Sequence, residues 1–385
     1  MSVLLLYGSA YAFPALVPLI ADEFDSSRVA VGGAFGVYLL VVAGFAPLAG
    51  GLVDKIGIRP ALVLGTVTFG SALTGVGLAQ STSQVFVSIA GMGAPAHATI
   101  QVGAMVATSR IGGTARRGGA FGILGAGIGL GLALLPPAAV WLASMTGWRT
   151  AMLALAILST ALGIVAANFV QGYQRLETRN KEPGGGSSSF LCSKPFVLLF
   201  LGGIGVGLLD EAVYQHLIPH LQASGLPSAE AAAVLGIVSF GYLGGQALGG
   251  VASDRLGRLS IGLIAAVASA AAVLWLGIGL VGLSSIVLGI VAATYGISLG
   301  ATIVVRNTAL ADACHGPYLG RVLGVYQWAY ALGGAAMAWL GSAAYERVGS
   351  YSTAFVTAAV AAVLWAACLR AALQRPDSRP YTPVH

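Results

Sequence analysis

Polar positions in this chain are few and clumped, and between them run long, almost unbroken stretches of Ala, Val, Leu, Ile, Gly and Phe. A membrane-spanning helix needs about 20 mostly apolar residues at 1.5 Å of rise each. Breaking the chain at its charged and turn-forming residues predicts twelve such stretches. The first six are Ser2–Ala21, Val29–Val53, Pro60–Ala79, Gln84–Thr108, Gly118–Ser144 and Thr150–Val170. The second six are Phe196–Leu221, Ala229–Ala252, Ser260–Leu280, Ser284–Val305, Gly320–Ala344 and Ser352–Leu373. The long polar segment between them, Gln171–Pro195, is charged and rich in Gly and Ser, the composition of a flexible linker. The pattern predicts an all-α membrane protein: a six-helix bundle over 1–170, a linker over 171–195, a second bundle over 196–374 and a tail over 375–385.

Composition narrows the function classes. Lys and Arg number 19 and Asp and Glu 13, together 8% of 385 residues, against 57% hydrophobic and 56 glycines. A soluble globular protein carries roughly 25% charged residues, so this chain has too little polar surface to face water. A soluble enzyme, a nucleic-acid binder and a disordered scaffold are excluded, and the mean hydropathy of +0.87 agrees. The net charge of +6 comes from basic residues scattered between apolar runs, with no patch suited to nucleic acid. Cys192, Cys314 and Cys368 have no metal-ligand spacing and give no evidence of a disulfide framework, and no phosphate-binding Gly-x₄-Gly-Lys-Ser/Thr loop is present. No cofactor is expected. The N-terminus lacks the basic n-region of a cleaved signal peptide and reads as a retained first span with almost no tail ahead of it; whether it is complete stays open. With both termini on one side, that side receives sixteen Lys and Arg, and the other only Arg28, Arg149 and Arg347. The positive-inside rule makes the first side cytoplasmic.

The loop after the second span, GGLVDKIGIRP (50–60), returns after the eighth as GVASDRLGR (250–258). Asp54 and Asp254 align at an offset of 200, with Gly50/Gly250, Lys55/Arg255 and Gly57/Gly257 in register. Two weaker echoes pair Arg117 and Gly122 with Arg321 and Gly324, and GWR (147–149) with GSY (349–351). Two similar six-helix halves joined by a cytoplasmic linker are the parallel repeat of many secondary transporters. The doubled Gly-x-x-x-Asp-(Arg/Lys)-x-Gly loop resembles the signature of the major facilitator superfamily. The stretch HLIPHLQASGLPSAEAAAVLG from His216, the GGVASDRLGR after it, and GSYSTAF (349–355) are similar to its monocarboxylate-porter branch. The resemblance implies the major facilitator fold, with spans 1, 4, 7 and 10 lining a cavity, and transport of small organic anions, often with a proton, by alternating access. It also implies an arginine in span 8 that grips the substrate carboxylate. Gln246 stands there, and a neutral amide can hydrogen-bond a carboxylate but brings no charge.

The repeated loops also have a reading of their own. Their glycines allow tight turns and close helix packing, and Asp54 and Asp254 can pair with neighbouring cations or a helix N-terminus. Such contacts, with Lys55, Arg59, Arg255 and Arg258, can serve as gate parts or simply as turn and topology residues; both readings stand. Ionised side chains inside a bilayer cost roughly 2.5–3.5 kcal/mol and point to function. Span 7 has two in succession, Asp210 and Glu211, which with Tyr214 and Gln215 fall within an arc of about 140°. A carboxyl there suits proton pickup and release. His97 and Gln101 share a face of span 4. Tyr295, Ser298, Thr302 and Arg306 line one arc of span 10, where Arg306, near the helix end, binds substrate or merely snorkels. Tyr7 and Tyr11 share a face of span 1, and Ser239, Tyr242, Gln246 and Ser253 form a stripe on span 8.

These residues predict a monomeric plasma (inner) membrane transporter whose partners are lipid, a small-molecule substrate and protons. The substrate-binding candidates are Tyr7, Tyr11, His97, Gln101, Tyr214, Tyr242, Gln246, Tyr295 and Arg306, with Asp210 and Glu211 coupling the proton. One rival cargo is an amphipathic or cationic compound, exported against a proton. A rival of another class, a membrane-embedded metal hydrolase, requires Glu211, His216 and His220 to converge on a metal.

Overall fold

In the computed structural model, the described residues are 1–111, 113, 115–170, 190–278, 284–314 and 318–373. The linker and tail expected at 171–195 and 375–385 lie largely outside them. The described residues form helices and turns with no strand. The helices are α1 (Ser2–Glu23), α2 (Arg28–Ile56), α3 (Ile58–Gly77), α4 (Thr82–Ile111), α5 (Arg117–Thr146) and α6 (Trp148–Phe169). They continue as α7 (Lys194–Ala223), α8 (Ser228–Leu256), α9 (Arg258–Ile278), α10 (Ser285–Ala313), α11 (Leu319–Val348) and α12 (Ser352–Leu373).

Each helix covers one predicted span, and eleven are long and apolar enough to cross a bilayer. In α11 the polar Gln327 and the aromatics Tyr326, Trp328 and Tyr330 thin out the aliphatic residues, so its hydropathy is lower. One boundary differs materially. The tenth span was expected to end at Val305, but α10 continues to Ala313, so Arg306 lies well inside the helix. The added turns contain Thr308, Ala309, Leu310 and Ala311, all buried, so packing extends the helix past the charge.

Starts and stops follow from local chemistry. Ser27, Ser193 and Ser284 each cap a helix by accepting a bond from the amide three residues on. Gly57 and Gly257, at φ +90°, end α2 and α8 and turn the chain directly into α3 and α9. A residue with a Cβ is strained at such a φ, so glycine recurs at the matching place in both loops.

The chain divides into two compact units. The first comprises Met1–Ile111, Gly127–Pro183 and Gly316–Gln327. The second comprises Gly112–Ala126, Gly184–His315 and Trp328–His385, so α5 and α11 each contribute to both. In the first unit α3 packs on α6, α2 on α4, and α1 on α6, where the Ser9 and Ser159 hydroxyls share a buried 2.8 Å hydrogen bond. In the second, α8 lies along α10 and α7 along α12, around a core that includes Leu209, Val213, Leu276, Tyr295 and Phe355. Apolar side chains gain little by leaving lipid for protein, so close packing of small residues does much of the work.

Candidate functional site

In the first unit, α4 widens into a π-helix over Val87–Gly93, just ahead of Pro95. In an unbroken α-helix the Pro95 ring would press on the carbonyl four residues back, and the wider turn relieves this. The next turn carries His97, fully inside the protein. Its Nδ1 meets the Tyr38 hydroxyl at 2.5 Å, and its ring meets the edge of Tyr7 at 4.8 Å. Gln101 Nε2 donates to the Tyr7 hydroxyl at 2.7 Å, Tyr11 stacks beside Tyr7 at 6.2 Å, and Phe35 packs edge-on against Tyr11 at 5.1 Å. Tyr38 and His97 are buried, whereas Tyr7, Tyr11, Phe35 and Gln101 remain partly exposed. The arrangement is a hydrogen-bonded aromatic wall built from three tyrosines, a phenylalanine, a histidine and a glutamine.

The second unit holds the charged cluster. Asp210 is only 5% exposed. The Tyr330 hydroxyl on α11 donates to its Oδ2, while Oδ1 has no hydrogen-bond partner among the described residues. The Tyr295 hydroxyl donates at 2.6 Å to the carbonyl of Leu209, fixing α10 beside the carboxyl. The Arg306 guanidinium lies over the Tyr330 ring, Cζ 4.7 Å from its centroid, and its Nε and Nη2 donate to Asn307 Oδ1. Glu211 accepts from Gln215 at 2.8 Å, and Tyr214 and Tyr242 meet edge-on at 6.4 Å. Arg306 is thus buried and stacked rather than snorkelling from a helix end. Asp210, Glu211, Tyr214, Tyr242, Tyr295 and Arg306 come together here. Tyr330 joins them without having been singled out from the sequence.

Gln246 is buried, and its carboxamide lies over Gly125 of α5, where an added Cβ would overlap it. The glycine run of α5 therefore makes room for this side chain.

Both repeated loops hold helix N-termini. Asp54 accepts from the amides of Gly320 and Arg321, each at 2.8 Å, at the start of α11. Asp254 accepts from the amides of Gly118 and Gly119, at 2.9 and 2.7 Å, at the start of α5. The first amides of a helix have no partner within it and carry partial positive charge, so a carboxylate is well placed there. Gly50 and Gly118 permit the approach, because a Cβ on either would run into the facing backbone. The second loop has a further layer. Arg258 bonds both Asp254 (2.5 Å) and Asp312 (3.0 Å), and Asp312 also pairs with the buried Arg117 (2.5 Å). Arg59 bonds Asn168 at 2.8 Å, while Lys55 and Arg255 are exposed. Asp312 could have been found only with the true end of α10 in hand.

The metal constellation does not form. His216 Nε2 faces the Met337 carbonyl at 3.2 Å and its ring stacks on Tyr351, His220 packs on Phe355, and Glu211 turns to Gln215. Among the described residues no three metal-binding side chains cluster. The helical spacing that put these residues in one stretch of sequence sends them toward different neighbours.

Membrane-length helices in a doubled pattern, with buried polar clusters and matching loops, are the architecture of a membrane transporter. The chain belongs to the Major Facilitator Superfamily, whose family model matches residues 1–293 and 199–384. Rat (Rattus norvegicus) monocarboxylate transporter 13 is 25% identical over 361 residues, spanning 92% of this chain and 82% of that protein. The cattle (Bos taurus) protein of the same name is 24% identical over 361 residues, covering 92% of this chain and 83% of that one. The fold is similar to that of the human organic anion transporter MFSD10 (TM-score 0.71, 18% identity, 96% of this chain and 97% of that one). It is also similar to the proton:xylose symporter XylE (TM-score 0.74, 15% identity, 95% and 93%). Both the superfamily and the likeness to its monocarboxylate-porter branch, read from the loops and the 216–258 stretch, are met by these comparisons.

Proposed function

We propose that this transporter carries a small, monocarboxylate-like organic anion together with a proton, by alternating access. The observation that carries this reading is the single cluster joining a buried carboxyl, Asp210, to a buried cation, Arg306. A cation can hold a cargo carboxylate, and a carboxyl with one unengaged oxygen can take and release a proton. The relatives named monocarboxylate transporter support the same cargo class. The reading includes two six-helix bundles, 1–170 and 196–374, both termini cytoplasmic, in the plasma (inner) membrane, as a monomer. Asp54, Lys55, Arg59, Asp254, Arg255 and Arg258 act as gate parts, and Tyr7, Tyr11, His97 and Gln101 contact the cargo. Proteoliposomes loaded with a pH-sensitive dye test it: an inward gradient of lactate, pyruvate or benzoate should acidify the lumen faster than in empty vesicles. Dye traces matching those of empty vesicles for all three acids refute the carboxylate–proton reading.

A second cargo class has an observation in its favour, the aromatic wall of Tyr7, Tyr11, Phe35 and Tyr38 around His97, alongside the carboxyls Asp210 and Glu211. That combination suits an amphipathic cation. Proton-dependent export of ethidium from cells, lost in Asp210→Asn, supports this class over the first.

A further inference from the structure

Tyr330 is placed by backbone packing before its side chain does anything. Its carbonyl lies where a Cβ on Gly207 of α7 would stand, and one helical turn along α7 the carbonyl of Ile204 occupies the corresponding space at Gly333. Two glycines, one on each helix, let α7 and α11 approach until the Tyr330 hydroxyl reaches Asp210 Oδ2. The other face of the side chain's work is the ring, which carries the Arg306 guanidinium at 4.7 Å. One side chain therefore touches both the cation and the carboxyl. The remaining oxygen of Asp210 is buried and lacks a partner among the described residues, so a site for a proton is open on the carboxyl that Tyr330 holds. The other ionisable groups within electrostatic reach of Asp210 are Glu211 and Tyr214 on α7 and Tyr295 on α10, with Tyr242 of α8 acting on Tyr295 and Tyr330.

We infer that Tyr330 is a positioning residue that links anion binding at Arg306 to protonation of Asp210; this rests on the proton-coupled anion reading above. An anion drawing the guanidinium off the ring frees the ring to move, and its hydroxyl then loosens from Oδ2. The carboxylate loses a donor and a neighbouring positive charge together, and a proton from water takes the open oxygen. By linkage, a proton already on Asp210 favours the anion to the same extent, which is what symport requires.

The test needs no known cargo. In purified protein, the infrared C=O band that titrates in wild type and vanishes in Asp210→Asn reports the state of this carboxyl. Tyr330→Phe keeps the ring and removes the hydroxyl, and Arg306→Gln removes the charge. Each single change should move the midpoint of that band by about one pH unit, roughly the tenfold that a hydrogen bond to a charged group is worth. The double variant should move it no further than the larger single one, because the two act through one link. Equal effects of Arg306→Gln with and without the Tyr330 hydroxyl would show that Arg306 acts through space alone and overturn the link. Arg306→Lys provides a separate check should Tyr330→Phe not fold, since lysine keeps the charge and loses the flat stack. A shift as large as that of Arg306→Gln supports the link, and an unmoved band overturns it. Absence of any Asp210-dependent titrating band in wild type instead sinks the proton reading itself, a different failure.

Discussion

Replacing Asp254 by Asn tests what the second repeated loop holds together. Its Oδ1 takes the Gly118 amide and Arg258, and its Oδ2 takes the Gly119 amide. An asparagine oxygen can keep Gly118, but its NH₂ group then faces the Gly119 N–H, and the charge is gone. A hydrogen bond to a charged group is worth about 1.5–3 kcal/mol, and a carboxylate at a helix N-terminus adds about 0.3–1 kcal/mol. Arg258 keeps its second partner, Asp312, so its loss is partial. The low exposure of the pair, 11% for the Asp254 side chain and 13% for Arg258, leaves little screening by water. The first turn of α5 should therefore be released from α8 by roughly 2–4 kcal/mol, at least about thirtyfold in the local opening equilibrium. A native reporter sits close by: buried Cys314 follows Asp312 by two residues. In a protein carrying Cys192→Ser and Cys368→Ser, maleimide labelling of Cys314 should speed up at least about thirtyfold in Asp254→Asn, under conditions where alkylation is slow relative to reclosing. Unchanged labelling in a variant that melts like its parent would show that the carboxylate does not hold this end of the unit closed.

In the first unit, Asp54→Asn removes one of two 2.8 Å bonds to the start of α11. It should slow turnover several-fold while leaving equilibrium ligand binding within about twofold, because it acts on a conformational equilibrium; binding that falls with turnover would point to a folding role. Asp210→Asn or Glu211→Gln should abolish accumulation driven by a pH gradient and leave counterflow exchange partly intact, and gradient-driven accumulation surviving in both refutes their coupling role. Gly125→Ala should lower thermal stability by about 1–3 kcal/mol through overpacking against Gln246, and Gln246→Ala in the same protein should recover most of it; a double variant no more stable than Gly125→Ala would refute that contact. Gln246→Arg, the residue the monocarboxylate branch carries there, meets the same crowding. Raised carboxylate affinity in a ligand-binding assay would show the new charge reaching the cargo, and unchanged affinity would leave Gln246 a packing residue.

The twelve helices were legible because the signal is one-dimensional: a run of about 20 apolar residues has few options in lipid besides a spanning helix, whatever its neighbours. The glycine turns were legible for a similar reason, since Gly57 and Gly257 are needed by the φ of a single residue. Asp210, Glu211 and Arg306 could be picked out because charge inside an apolar run is rare. Their partners could not. Tyr330 sits in a helix whose aromatic residues look alike along the sequence, and only the close approach of α7 and α11 selects the one whose hydroxyl meets Asp210. The same holds for Tyr38 on His97, and for Asp312, whose helix runs two turns past the last apolar residue of its predicted span.

Gln246 shows the division most plainly. Its sequence position suggested a substituted substrate contact, while the fold lays it over a glycine of α5. The converse is His216, His220 and Glu211, close in sequence and yet turned to Met337, Phe355 and Gln215. Hydropathy and backbone conformation are properties of a residue and its immediate neighbours, so the sequence determined the spans, the turns and the doubled loop. A hydrogen bond or a stacked ring depends on which helices touch and at what register, so the charged cluster was decided only by the tertiary structure.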